Sequence, residues 1–359
     1  MSNIENARIR INEIDREMAR LFCERMDAAA EVAEYKRDHG MPILDREREE
    51  KLIQKNMSYI TDDSLTDFYT NFIRSTIDIS KNYQRRILEG MKVAYCGTEG
   101  AFAYLVAEKI FESAEKMPFE SFSKAYESVV EGVCDVAVLP VENSYAGDVG
   151  QVSDLLFSGS LYVTGMYDFP VSHNLLAVEG AKKSDIKTVV SHPQALSQCS
   201  EYITRNGFSR MQYENTAFAA RFVAENKDPS IAAIASEDSA KRYGLSVIDR
   251  QINESRNNTT KFAVVSRSEN MNVGYSPSDR FLLLFTVSNE VGSLAKVMNE
   301  ITRHGFNMSA IHSRPMKDLL WKYYFLVEAE GAIRTENGKQ FLATISQSCD
   351  KLRLAGVYA

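Results

Sequence analysis

Ile4, Ala7, Ile11, Ile14, Met18, Leu21, Arg25, Ala28, Val32 and Tyr35 recur at alternating steps of three and four residues. That spacing places them on one stripe of an α-helix, the seam of a heptad pattern. A helix from about Glu5 to Asp38 is roughly 50 Å long at the standard rise per residue. No neighbouring segment can cover so long a stripe within one small domain. The pattern therefore predicts a second copy packed along it, a homodimer or higher homo-oligomer. His39-Gly40-Met41-Pro42 ends the helix, pairing a permissive glycine with a proline that restricts its neighbour. A shorter helix is expected from about Asp45 to Met57. A third is expected from about Ser64 to Leu88, with Leu65, Phe68, Phe72, Ile73, Ile79, Tyr83 and Ile87 turned inward and a stop at Gly90. Residues 1–90 thus read as an all-α domain of three helices.

At Met91 the pattern changes. Short β-rich runs (KVAYC, CDVAVLPV, LYVTGM, IKTVVS, PSIAAIA, KFAVVS) alternate with helical stretches to about Ser268. This is the signature of an open α/β region, residues 91–268, here long enough for two lobes. It contains neither GxGxxG nor GxxxxGK[ST], so no dinucleotide or P-loop cofactor is expected. MNVGYSPSD is polar and turn-rich, a linker. Beyond it, residues 279–359 follow the order βαββαβ, that of a small ferredoxin-like domain. A chain of 359 residues suits two or three such domains. A net charge of −7 gives no global basic surface for nucleic acid. The longest apolar run, Phe281 to Val287, is far short of a membrane span. The opening MSNIENARIR lacks the apolar core of a secretory signal, and the five scattered cysteines include no CxxC. These features predict a cytoplasmic protein with reduced thiols. The histidines lack metal-ligand spacing, so no metal is expected.

Several polar residues resist a purely structural explanation. Arg25 occupies the seam itself, where a cation needs an anion to offset its desolvation. Arg8 and Lys36 border the seam, whereas Arg10, Arg16 and Arg20 read as solvated. Asp45, Arg48 and Glu49 share one face of the short helix, and Ser80 and Gln84 share a stripe on the third. A merely dimerising coiled coil would leave Arg25 unexplained. Taken together, Arg8, Arg25, Lys36, Asp45-Arg46-Glu47-Arg48-Glu49, Ser80 and Gln84 resemble the all-helical class of chorismate mutase. The resemblance implies an intertwined dimer that folds dianionic chorismate into a compact chair and stabilises charge growing on its ether oxygen. It implies that Arg25 and a partner subunit's copy of Arg8 hold carboxylates. Lys36 and Gln84 would then address the ether oxygen and Glu49 the ring hydroxyl, with Arg48 and Ser80 completing the pocket.

The α/β region carries PVENSYAG, SHPQALSQC, Thr216-Ala217 and Thr260-Lys261-Phe262. Asn143 follows a strand, where ligand loops of open α/β sheets collect. Ser191 and Gln194 flank a strand-to-helix turn, and His192 reads as a structural turn residue. Together these motifs resemble prephenate dehydratase. The resemblance implies a site between two lobes lined by Asn143, Ser191, Gln198, Thr216 and Thr260, with the Thr260 hydroxyl as donor to the leaving hydroxyl of prephenate. Two positions depart from the family pattern. Gly100-Ala101-Phe102-Ala103 lacks hydroxyls found there, and Lys261 stands for an arginine, keeping the charge without the fork. A different reading keeps the mutase active and treats the lobe pair as degenerate, a ligand sensor.

The last segment resembles an ACT domain, which implies an amino-acid effector. Gly292 and Leu294 lie in a glycine-containing strand-to-helix loop whose amides suit a ligand carboxylate. His312-Ser313-Arg314-Pro315 stands where the family has E-S-R-P, a motif associated with phenylalanine regulation. The resemblance therefore implies phenylalanine as effector, against the plainer reading of a dimerisation module with no ligand. Histidine in place of the glutamate adds the expectation that sensitivity weakens as pH falls through histidine's range.

Overall fold

A computed structural model describes residues 3–255, 257–316 and 322–359. The chain divides into two compact units, Met1–Met91 and Lys92–Ala359.

The first unit is helical. Helix α1 spans Asn3–Asp38, α2 spans Arg46–Met57 and α3 spans Thr66–Glu89. Asp45 caps α2 by accepting the Arg48 amide at 3.0 Å, so the acidic end of the D-x-x-R-E run sets where the helix starts. Gly90 ends α3 with a positive φ of 79° that most residues avoid. Helix α1 buries Met26, Ala29 and Ala33, and the two alanines let α3 approach closely. The opposing face of α3 is Ile73, Ile77, Ser80 and Gln84. The inward set expected for α3 is thus corrected: of its seven residues Ile73 is buried, while Phe68 is 75% exposed and Leu65, Phe72, Ile79, Tyr83 and Ile87 are exposed as well. Helix α3 turns a part-polar stripe to α1 and leaves an apolar face uncovered by its own chain. Along α1 the heptad residues Ile4, Ile11, Ile14, Met18 and Leu21 are likewise exposed.

In the second unit the described residues form fifteen strands. These are β1 (Lys92–Cys96), β2 (Glu115–Phe119), β3 (Val136–Asn143), β4 (Gly147–Asp148), β5 (Tyr162–Pro170), β6 (Asn174–Ala177), β7 (Thr188–Ser191) and β8 (Ser209–Gln212). There follow β9 (Ile231–Ala235), β10 (Ser246–Asp249), β11 (Thr259–Ser266), β12 (Arg280–Thr286), β13 (Asn307–Pro315), β14 (Tyr323–Glu330) and β15 (Lys351–Tyr358). Ten make one sheet in the order β13-β14-β12-β15-β5-β11-β3-β1-β2, with β4 on β3. Five make a second sheet, β10-β6-β9-β7-β8. The chain passes from the first sheet to the second through residues 171–173 and returns through residues 250–258. Two lobes joined by two short crossings follow directly from that order. The antiparallel β11 lies between β3 and β5, and its register sets Thr260 opposite Asn143.

Strand β12 is apolar on both sides because both are covered. Phe281, Leu283 and Phe285 pack with Val297, Ile301, Phe341 and Ile345 from helices Ser293–Arg303 and Glu336–Ser346. Leu282 and Leu284 join a separate core with Leu156, Phe157 and Tyr324. Strand β15 connects to β5 through one parallel bridge, Gly356 to Val163. A Cβ at Gly356 would lie 2.3 Å from the Val163 carbonyl oxygen. No helix among the described residues is long and apolar enough to cross a membrane. Gly356→Ala should cost about 1–3 kcal/mol through overpacking and lower the thermal midpoint of the second unit. An unchanged midpoint would contradict the close approach.

Candidate functional site

Each unit holds a cavity where sequence-derived site residues converge. In the helical unit a cavity of about 220 Å³ is lined by Arg25, Lys36, Arg48, Glu49, Ser80 and Gln84. Arg25 is half-buried and bonds the Ser80 hydroxyl and, at 3.4 Å, the Thr76 carbonyl. Both partners are neutral, and burial draws the guanidinium below its ordinary pKa. Lys36 donates to the Ile43 carbonyl at 2.6 Å, which pins the turn after α1 beside the cavity. The buried Gln84 amide has an Oε1 without a partner. Glu49 is held by Lys81 at 3.1 Å, and Lys81 also lines the cavity. Lys81 is not among the sequence's candidates, since its one local sign is its place next to Ser80. Arg8 is exposed and does not line this cavity. It precedes Arg25 by 17 residues on the same straight helix, roughly 25 Å.

In the second unit a cavity of about 860 Å³ lies between the two lobes. Asn143 and Thr260 come from adjacent strands of the large sheet, and Gln198 and Thr216 from helices of the smaller lobe. Asn143 is buried, and its Oδ1 accepts the backbone amides of Tyr145 (3.1 Å) and Ala146 (3.0 Å). Its Nδ2 must then be the other end, and it donates to Thr260 Oγ1 at 2.8 Å and Asn258 Oδ1 at 2.9 Å. With its oxygen already accepting from Asn143, the Thr260 hydroxyl has its own proton free to donate. Asn258 Nδ2 in turn donates to Gln198 Oε1 at 3.0 Å. That oxygen also lies 2.8 Å from His173 Nε2. His173 and Asn258 sit on the two interlobe crossings; Asn258 heads the stretch that contains Thr260-Lys261-Phe262, and neither is among the sequence's site candidates.

The remaining sequence candidates divide. Thr216 opens helix Thr216–Asn226, capped by Asn215, whose side chain accepts the Phe218 amide at 2.7 Å. Ser191 is fully buried and is not part of the cavity wall, because its hydroxyl is committed to the Ile234 carbonyl across the sheet at 2.6 Å. His192 lines the cavity and caps the next helix by accepting the Gln194 amide at 3.2 Å. Lys261 points away from the cleft, since neighbouring strand residues face opposite sides. It pairs with the buried Glu328 of β14 at 2.8 Å.

In the C-terminal segment Gly292 has a φ of 85° and precedes helix Ser293–Arg303, with Leu294 in its first turn. His312 Nε2 lies 3.8 Å from Glu142 Oε1. Arg314 bonds Asp148 at 2.9 Å and Asp154 at 3.3 Å, its guanidinium lying over Gly150. Ser313, between them, is exposed.

Residues 93–270 match the family model for prephenate dehydratase, and residues 7–85 that for chorismate mutase type II. A bifunctional chorismate mutase/prephenate dehydratase of Neisseria gonorrhoeae is 31% identical over 97% of this chain and 94% of its own length. Among solved structures, a prephenate dehydratase of Arthrobacter aurescens in complex with L-Phe is similar at a TM-score of 0.68 and 26% identity. That likeness covers 75% of this chain and 90% of the other. A quorum quenching acylase, GqqA, has the same TM-score at 28% identity over 74% of this chain and 97% of its own.

Asn143→Ala would strand two backbone amides and remove the donor to Asn258 and Thr260. Tyr145 and Ala146 are exposed, so water can reach their amides, whereas Asn258 and Thr260 are buried. Losing the donor that Asn258 and Thr260 share should cost about 1–3 kcal/mol in urea unfolding of the second unit. A loss below about 1 kcal/mol would mean that water replaces these bonds.

Proposed function

The chain belongs to the family of bifunctional chorismate mutase/prephenate dehydratases, and from that premise we propose that its two compact units divide the two reactions between them. The enzyme rearranges chorismate to prephenate and converts prephenate to phenylpyruvate, in phenylalanine biosynthesis. The helical unit takes the rearrangement and the two-lobed unit the decarboxylating dehydration. The observation that carries this division is the convergence, in one small cavity, of Arg25, Lys36, Arg48, Glu49 and Gln84. A reaction without acid, base or covalent steps needs just such a set. Cations fix the two carboxylates, and donors meet the charge that grows on the ether oxygen. Arg25, short of an anion in its own chain, takes one carboxylate. Lys36 and Gln84 reach the ether oxygen, Glu49 the ring hydroxyl, and Arg48 and Ser80 close the pocket.

Arg8 reaches this pocket only from a second copy. The exposed seam of α1 and the uncovered face of α3 give that copy its docking surface. In the cleft, the Thr260 hydroxyl donates a hydrogen bond to the departing oxygen of prephenate, easing its loss as hydroxide, while Asn143, Gln198 and Thr216 line the substrate. A degenerate, sensing lobe pair is not favoured, because Thr260, Asn143 and Gln198 belong to one connected polar network.

The C-terminal segment, residues 279–359, we read as a ferredoxin-like ACT domain. Its strand order, β15-β12-β14-β13 with two helices on one side, supports that reading. The Arthrobacter relative's complex with L-Phe supports phenylalanine as its effector. Gly292 and Leu294 would meet the carboxylate, with His312, Ser313 and Arg314 on the adjoining strand.

Incubating the purified chain with chorismate should yield phenylpyruvate, and its absence would refute the reading. Arg25→Ala should abolish the rearrangement while sparing dehydration of added prephenate, and Thr260→Ala should do the reverse. Loss of both activities in either folded variant would refute two independent sites. Mixing inactive Arg8→Ala and Arg25→Ala subunits should restore mutase activity, since a heterodimer regains one complete site. Failure to recover despite demonstrated subunit exchange would refute the shared site.

A further inference from the structure

His173 is 2% exposed and sits on the crossing from β5 to β6, in the wall of the dehydratase cleft. Its Nδ1 is buried without a partner, and its Nε2 lies 2.8 Å from Gln198 Oε1. Which ring nitrogen carries the proton follows from the backbone. The Tyr145 and Ala146 amides can only donate, so they fix the oxygen of Asn143. The Asn143 nitrogen then donates to the oxygen of Asn258, and the Asn258 nitrogen donates to the atom of Gln198 it faces. That atom is an acceptor, Oε1, so His173 must donate to it from Nε2–H. Burial holds the ring neutral by lowering its pKa, leaving Nδ1 bare.

Two donors on one side of Gln198 have a consequence on the other. With Oε1 turned to His173 and Asn258, the amide NH₂ is left to face the cleft that Gln198 lines. No lysine or arginine among the described residues lines that cleft, although prephenate carries two carboxylates. We propose that His173 and Asn258 are positioning residues that lock the Gln198 amide with its NH₂ toward the substrate, so that Gln198 donates to a prephenate carboxylate. This rests on the dehydratase reading and deepens it. Without the lock, the amide is free to present its oxygen, which repels a carboxylate.

Steady-state kinetics with prephenate on the full chain tests this. His173→Leu and Gln198→Ala should each raise KM ten- to hundredfold, the worth of one charge-assisted bond, with kcat changed less than about threefold. The double variant should be no worse than Gln198→Ala alone, because His173 acts through Gln198. His173→Gln, which retains an amide donor toward Gln198, should recover most of the lost affinity. Mutase activity of each variant should stay at the wild-type level. If His173→Leu is silent, or costs as much in the Gln198→Ala background as in the wild type, the proposal is overturned. Nitrogen NMR of the histidine rings provides a reading on the unmutated protein. A bare Nδ1 with a protonated Nε2 is expected for His173, and the opposite tautomer would overturn the lock. A wild-type chain that makes no phenylpyruvate from prephenate would instead refute the dehydratase assignment itself.

Discussion

Two backbone amides, those of Tyr145 and Ala146, set the direction of the hydrogen-bond chain that runs from Asn143 to His173 in the cleft. A side-chain amide can be turned end for end at little cost, but a backbone N–H cannot become an acceptor. Once Asn143 Oδ1 is fixed, its nitrogen must donate to Thr260, which leaves the threonine proton free for a ligand. The same nitrogen orders Asn258 and Gln198 on the far side of the interlobe crossing. Low local dielectric makes such a network strong when complete and costly when broken. The strand register that places Thr260 opposite Asn143 is therefore as much a part of the site as either side chain.

The helical unit works under the opposite condition, an incomplete one. Arg25 is desolvated against neutral partners, and the apolar stripes of α1 and α3 face solvent within one chain. The proposed function answers both deficits together: a second copy would cover the stripes and bring Arg8, and an anionic substrate would supply the charge that Arg25 lacks. On that proposal stability and chemistry depend on one association, which would account for a helix of 36 residues with only Met26, Ala29 and Ala33 buried.

Local pattern carried most of the architecture into the sequence. The three helices, the alternating βα region and the final βαββαβ order all follow from periodicity and punctuation. The inward face expected for α3 differs from the one that packs on α1, because periodicity reports an apolar stripe without saying what covers it. Asn143, Gln198 and Thr260 were legible because they sit in compact motifs. His173 and Asn258 were not, since their meaning arises from two crossings 85 residues apart that meet only in the fold. Ser191 shows the converse: it belongs to a motif, yet its hydroxyl is occupied by Ile234. Fold alone would also have been a poor guide, because an acylase shares the two-lobed scaffold at the same TM-score as a dehydratase.

Lys261 shows how a single strand can serve two ends. Thr260 faces the cleft and Lys261 the opposite side of β11, where it meets Glu328 of β14. An arginine there would have a fork for both carboxylate oxygens. Lysine reaches one, and the other, Glu328 Oε1, lies 3.7 Å from Arg280. A second tie lies further along, where Arg314 of β13 bonds Asp148 and Asp154. Asp148 belongs to β4, whose register pairs it with Glu142 and pairs Gly147 with Asn143. The C-terminal segment thus holds β11 directly through Lys261, and β3 through β4, the short strand paired with it.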